Sequence, residues 1–301
     1  MYEKNLGGVI LGIGHGTMRD GPNWRSIIYF KGCNFRCRWC ASPDSFFALP
    51  EILFFADRVK YPARVASSCP YGALKLKGNG VVLKRTACRG CRTFECANLC
   101  IDGSIELVGS VMTVEQIVGD VLHYRRAHAD YGVTLSGGEP SLQWQFYLEL
   151  LKAFKHHGLH TAVETNCSIK RIPESLPYLD LVICDLKLMD AQGHKQWTDR
   201  INRNVLRNIE TIVKARKPLW VRIPVIPGIN DGENIMKTID FLQPMREHLL
   251  VELLGYHRLG VYKWKALGKR YALHHIEPPD NETIKKLERR FEGAGLKIIH
   301  T

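Results

Sequence analysis

The stretch Ser26-Ile27-Ile28-Tyr29-Phe30-Lys31-Gly32-Cys33-Asn34-Phe35-Arg36-Cys37-Arg38-Trp39-Cys40 joins an apolar, β-branched run to three closely spaced cysteines. The run reads as a buried strand, so the loop carrying Cys33, Cys37 and Cys40 is expected at that strand's C-terminal end. Three thiolates spaced Cys-x3-Cys-x2-Cys can hold a [4Fe-4S] cluster by three of its irons and leave the fourth open. Ferredoxin-type clusters take four cysteines, so a three-cysteine set points to chemistry at the open iron instead of plain electron storage. Taken alone, the three cysteines also fit an incomplete zinc site.

Outward from this loop, past residue 110, amphipathic helix alternates with short apolar strand. Val114, Ile117, Val118, Val121 and Leu122 form a helical stripe behind a cap at Thr113, and Val133-Thr134-Leu135 follows as a strand. Tyr147, Leu150, Leu151 and Phe154 form the next stripe, before Thr161-Ala162-Val163. Leu181-Val182-Ile183, Leu219 to Ile223 and Leu249 to Leu254 are further strands, separated by helical segments around 202–216 and 232–247. With the run before the cysteines this makes six strands, which predict a parallel sheet with right-handed crossovers and functional loops at the strand C-terminal ends. The pattern fits an open sheet and a partial barrel alike.

Residues 48–106 break the alternation. They carry Cys69 and then Cys88-x2-Cys91-x4-Cys96-x3-Cys100, each half followed by a short hydrophobic piece, Ala73 to Leu76 and Ser104 to Leu107. We read this stretch as an inserted domain of two degenerate ferredoxin-like halves, leaving 1–47 and 107–301 as the main domain.

At 301 residues the chain can bury one large core plus a small insert. Its ten cysteines concentrate between Cys33 and Cys100 at metal-ligand spacings, which suits a reducing cytoplasm better than a disulfide scaffold. Cys167 and Cys184 lie beyond, at strand-like runs, and read as buried structural thiols. No apolar run approaches the roughly 20 residues of a membrane span, and Met1-Tyr2-Glu3-Lys4 lacks the look of a secretory signal. Lys plus Arg exceed Asp plus Glu by 42 to 30, but the basic residues are scattered and imply no nucleic-acid binding. The densest group, Lys263, Lys265, Lys269 and Arg270, fits a solvated face or a dock for an acidic partner.

The cysteine loop, with aromatic Trp39 before the third cysteine, resembles the signature of the radical S-adenosylmethionine (SAM) enzymes. Further segments resemble one subgroup, the glycyl radical enzyme activating enzymes, across nearly the whole chain. They are Ser136-Gly137-Gly138-Glu139-Pro140, Asp185-Leu186-Lys187, Arg222-Ile223-Pro224-Val225-Ile226-Pro227-Gly228-Ile229-Asn230-Asp231, Gly255-Tyr256-His257 and Asp20-Gly21-Pro22-Asn23. The resemblance implies a (β/α)6 partial barrel of TIM-like kind in which the open iron binds SAM and Trp39 lies against the adenine. It implies further that Gly137, Gly138 and Glu139 meet the SAM amino group, that Lys187 meets its carboxylate, and that Asp185 accepts from ribose or a cation. Arg222 and Asp20 would then lie near SAM or the substrate backbone, and His257 on SAM. Glu164-Thr165-Asn166 stands where many of these enzymes begin with Asp, so Thr165 is carried over as cofactor-binding and a monovalent cation there is left open. Asn23 replaces the family's final glycine, and tolerates a left-handed turn better than most residues.

Activating enzymes with this insert commonly carry two auxiliary clusters, but the first half here retains only Cys69. One auxiliary [4Fe-4S] cluster is therefore expected, on Cys69, Cys88, Cys91 and Cys96, with Cys100 a remnant. Cys88, Cys91, Cys96 and Cys100 form the compact alternative, with zinc on the same four residues a third reading.

The implied function is reductive cleavage of SAM to methionine and a 5′-deoxyadenosyl radical, which takes hydrogen from a backbone glycine of a partner enzyme. The implied setting is anaerobic and cytoplasmic, with a monomeric protein, a flavodoxin or ferredoxin-type reductant, and no membrane or nucleic acid. The competing readings are a radical SAM enzyme acting on a small molecule or peptide, and a non-catalytic iron-sulfur carrier.

Overall fold

The computed structural model describes residues 2–88, 90–125 and 130–300. The chain opens with β1 (Gly7–Thr17), which turns back antiparallel into β2 (Arg25–Phe30). It then leaves the main sheet for β3 (Glu51–Phe54), the hairpin β4 (Leu74–Lys77) and β5 (Gly80–Leu83), and β6 (Ile105–Val108), which pairs antiparallel with β3. It returns with β7 (Ser110–Thr113), β8 (Gly132–Gly137), β9 (His160–Thr165), β10 (Leu181–Asp185), β11 (Leu219–Val225) and β12 (Leu250–Gly255).

The main sheet runs β12-β11-β10-β9-β8-β2-β1-β7. From β2 through β12 its six strands are parallel, the number expected from sequence, and each stands where an apolar run lies. Strands covered on both faces need no polar alternation, which is why these read as continuous apolar runs. The fold is an α/β partial barrel. β1 and β7 were not anticipated; they extend the sheet antiparallel beyond β2. Five glycines in Gly7–Thr17 lower strand propensity and mask the pattern. At Gly8 the glycine is required, since a Cβ would sit 2.0 Å from the Phe146 ring.

The helices lie where their stripes put them. Thr113 and Gln116 exchange hydrogen bonds at 3.2 and 2.8 Å, a reciprocal cap on helix Val114–Arg125. In helix Trp144–His156, Tyr147, Leu150, Leu151 and Phe154 are fully buried against the sheet. The segment expected helical over 202–216 is a helix at Arg203–Lys214, and 232–247 is a helix at Glu233–Leu242 continued by a 3-10 stretch.

Between β3 and β6 a separate small core packs Ile52, Phe54, Val65, Leu74, Val81, Cys96 and Ile105. A third cluster of Leu53, Phe55, Ala266 and Leu267 ties it to the segment after β12. The basic group near residue 265 serves this junction: Lys263 pairs with the buried Asp44 at 2.9 Å and Lys265 with Asp57 at 3.1 Å. No helix among the described residues is long and apolar enough to cross a membrane.

Candidate active site at the strand ends

The loop after β2 is held by backbone bonds from scattered segments. Gly32 N–H donates to Ser45 O at 2.8 Å, Arg36 N–H to Thr198 O at 2.9 Å and Arg38 N–H to Trp197 O at 3.1 Å. Trp264 Nε1 donates to Cys40 O at 2.9 Å. Within this frame Cys33, Cys37 and Cys40 face one another closely enough to repel as thiolates: burial, and then the neighbouring sulfurs, push each of them up to about 12. Thiols so raised ionise where a metal's positive charge compensates, which suits an iron cluster. Among the described residues no three His, Cys, Asp or Glu side chains converge as ligands of a single ion do.

Gly137 and Gly138 lie against this loop. A Cβ on Gly137, at φ +102, would fall 2.5 Å from Phe30 N, and one on Gly138 2.2 Å from Gly32 O. Their N-terminal neighbours in the sheet thus require glycine here whatever else approaches. The Gly138 and Glu139 N–H groups donate to Phe30 O and Gly32 O at 2.9 and 2.8 Å. The Glu139 carboxylate is fully buried and accepts from Ser141 Oγ at 2.5 Å, Thr165 Oγ1 at 2.9 Å and Asn166 N–H at 2.9 Å. Burial pushes it above the usual carboxylate range. Glu139 and Thr165 therefore clasp the ends of β8 and β9 together.

Asn166, next along, points Nδ2 at Asn34 Oδ1, 2.9 Å away, and stands 3.9 Å from Cys33 Sγ. Asn34 in turn donates to Ser168 Oγ at 2.7 Å. This lock on the cysteine loop escaped the sequence reading, in which Asn166 was only the end of a triplet.

Lys187 donates to Asp185 Oδ2 at 2.8 Å. Burial opposes its charge, but Asp185 and the Cys37 and Cys40 sulfurs outweigh it and hold the ammonium well above its ordinary value. Arg222, in mid-strand, is buried and meets three carboxylates: Glu252 at 2.7 Å, Asp20 at 2.7 Å and Glu164 at 2.6 Å. Ser136 Oγ also donates to Glu164. Asp20 is pushed up to about 6 by burial and by Glu164. Asp20 and Asn23, at φ 61 and 62, are both left-handed, so Asn23 keeps the turn that glycine would allow.

The structure thus gathers Asp20, Glu164, Asp185, Lys187 and Arg222 inside the strand ends and Cys33, Cys37 and Cys40 above them. Trp39 is largely covered, 6.4 Å from Trp197 ring to ring. His257 stands apart: it is exposed, and its Nδ1 accepts from Leu259 N–H at 3.3 Å within its own turn.

In the insert, the Cys69 sulfur neighbours Cys88 and Cys96, and Cys91 neighbours both. Burial, and then Cys69, push Cys96 up to about 11. Cys100 turns elsewhere, donating to Asp102 Oδ1 at 3.3 Å and accepting from Ile105 N–H at 3.2 Å.

Residues 27–242 match the model of the radical SAM superfamily. The chain is 32% identical to the 4-hydroxyphenylacetate decarboxylase activating enzyme of Clostridioides difficile (strain CD196), over 98% of this chain and 96% of that one. It is 31% identical to the indoleacetate decarboxylase activating enzyme of Tractidigestivibacter scatoligenes, over 99% and 98%, and 33% identical to the (2S)-3-sulfopropanediol dehydratase activating enzyme of Klebsiella oxytoca, over 97% and 96%. With its parallel barrel and cysteine loop, the chain belongs to the radical SAM superfamily. Within it, the full-length relatives put this protein among the glycyl radical enzyme activating enzymes. Membership brings a [4Fe-4S] cluster and SAM, and the three converging thiols beside Lys187 fit both.

Proposed function

We propose that Cys33, Cys37 and Cys40 carry the cluster, that Lys187 meets the SAM carboxylate, and that Asp20 and Arg222 line the place where a partner's glycine is held. When bound, the cluster supplies the electron that cleaves SAM to methionine and a 5′-deoxyadenosyl radical, which takes hydrogen from a backbone glycine of a glycyl radical enzyme. The chain's own part is to orient and exclude water. Lys187 presents a fixed ammonium beneath the cysteine loop; Glu139 with Thr165 and Asn166 fix the neighbouring strand ends; Arg222 holds the carboxylates around it in one arrangement. The observation that carries this reading is the convergence of the buried thiols and Lys187 at the strand ends, in a chain matched end to end by activating enzymes.

The same reading gives the insert one auxiliary [4Fe-4S] cluster on Cys69, Cys88, Cys91 and Cys96, supported by the mutual proximity of those sulfurs and the diversion of Cys100. It takes a flavodoxin or ferredoxin-type reductant and a monomeric protein working in the cytoplasm. Glu164 is engaged by Arg222 and Ser136, and a monovalent cation would share that carboxylate.

The test is anaerobic reconstitution followed by SAM, a low-potential reductant and a panel of glycyl radical enzymes: the decarboxylases and dehydratase of the named relatives and any encoded beside this gene. A glycyl radical doublet by electron paramagnetic resonance on one of them is expected. Productive SAM cleavage with a small molecule or peptide alone would replace the activating reading, and no 5′-deoxyadenosine under any condition would leave an iron-sulfur carrier.

A further inference from the structure

Arg25 opens β2 and is fully buried; its direct hydrogen-bond partners are neutral, while the Asp20 carboxylate lies near enough to favour its charge. Nε donates to Thr134 Oγ1 at 2.8 Å, Nη1 to Pro22 O, and Nη2 to Val133 O at 3.3 Å, with His160 Nδ1 also 3.3 Å away. Neutral acceptors compensate a buried charge less fully than a carboxylate does. Two glycines clear the space it occupies: a Cβ on Gly21 would lie 2.2 Å from Nη1 and one on Gly132 2.9 Å from Nη2.

What Arg25 grips is the Asp20 turn. Pro22 O is held directly. Asp20 O accepts from Thr134 Oγ1 at 2.6 Å, and that hydroxyl in turn accepts from Arg25 Nε. The turn holds Asp20 at φ 61, a left-handed conformation that aspartate adopts more readily than most residues and that these hydrogen bonds fix here. This conformation sends the Asp20 carboxylate to Arg222 Nη1, 2.7 Å away.

We propose that Arg25 is a positioning residue for the partner's glycine: acting through Pro22 and Thr134, it fixes the Asp20 turn beside Arg222, and its loss uncouples hydrogen abstraction from SAM cleavage. The proposal rests on the reading above that Asp20 and Arg222 face the glycine. Arg25→Lys keeps the charge and loses the fork, Thr134→Val removes the relay and takes from Arg25 Nε its acceptor while Pro22 O and Val133 O still hold the guanidinium, and Thr134→Ser restores the hydroxyl.

With whichever panel enzyme accepts the radical, the yield of glycyl radical per 5′-deoxyadenosine should fall about tenfold in Arg25→Lys, fall about threefold in Thr134→Val and recover in Thr134→Ser. SAM cleavage without partner should stay within about twofold of the unsubstituted chain. An unchanged ratio in Arg25→Lys, or equal losses of cleavage and radical, overturns the proposal. Deuterium uptake by residues 17–24 needs no partner: it should quicken in Arg25→Lys and Thr134→Val while uptake by 33–40 holds steady, and unchanged uptake at 17–24 also overturns it. Should the unsubstituted chain form no radical on any panel enzyme, the fault lies with the activating reading, and uptake alone decides the role of Arg25.

Discussion

The barrel's cysteines and the insert's cysteines are built in opposite ways. Cys33, Cys37 and Cys40 sit in a loop fastened to segments near residues 45, 198 and 264, with Lys187, just past β10, within electrostatic reach of the Cys37 and Cys40 sulfurs. Cys69, Cys88, Cys91 and Cys96 sit within 28 positions of one another, Cys88 and Cys96 on four-residue helices, at a small core of which Cys96 is part. The first arrangement depends on the whole barrel; the second is local. A local site can lose a ligand without unfolding its surroundings, and the Cys100 sulfur is already bonded to Asp102 and the Ile105 N–H.

The sharpest way to break this contrast is at the barrel. Cys37→Ala is expected to abolish both 5′-deoxyadenosine and glycyl radical formation, because three thiols are the full cysteine set of this loop. Any residual cleavage, measured by chromatography of the products, would mean the barrel tolerates loss as the insert does.

Next in size is Lys187→Ala. It should weaken SAM binding by on the order of 1.5 to 3 kcal/mol, the worth of a charged hydrogen bond, with iron content at the barrel site retained. Equilibrium SAM binding that does not move would reject the role.

The insert separates by iron analysis. About 8 irons per chain are expected, about 4 in Cys69→Ala, and about 8 still in Cys100→Ala, by the usual cluster stoichiometry. The reverse pattern would establish the compact set, and stoichiometric zinc would remove the auxiliary cluster altogether.

The smallest effect concerns Asp20. Its carboxyl is raised from 3.8 to about 6, so folding favours the neutral form. This group's contribution is complete below its ordinary value and is lost as pH rises through about 6. Asp20→Asn escapes that loss and should raise stability in urea by on the order of 1 kcal/mol at pH 8, with a smaller gain at pH 5. A gain equal at both pH values would show that charge is not the issue.

Much of this molecule could be read before it was seen. The six parallel strands announce themselves because most of their residues are buried and apolar, as in Ile27, Ile28 and Phe30 or Val182, Ile183 and Cys184. β1 was hidden because its glycines answer to neighbours such as the Phe146 ring, and such contacts are invisible along the chain. At the site, spacing led to the cysteines and the family resemblance to Lys187, Arg222 and Asp20, which the structure brings to the same strand ends. It gave no hint that Asn34, Asn166 and Ser168 lock the cysteine loop, since amide and hydroxyl side chains are common in any loop. Arg25 had one signal, a charged residue at the head of an apolar strand, and the buried Lys31, bonded to Asp44 O and Glu51, had its counterpart at the strand's end.

The bond from Trp264 to the Cys40 carbonyl spans 224 positions, and beside it Gly260 packs so closely on Ala41 that a Cβ would lie 2.4 Å from its oxygen. During synthesis the cysteines leave the ribosome long before these residues exist. Until they arrive, the loop lacks its floor and stands open to water and oxygen. Iron is therefore best delivered after the chain is released, and a chain stalled short of residue 264 would emerge with its cysteines in place and no seat to hold a cluster.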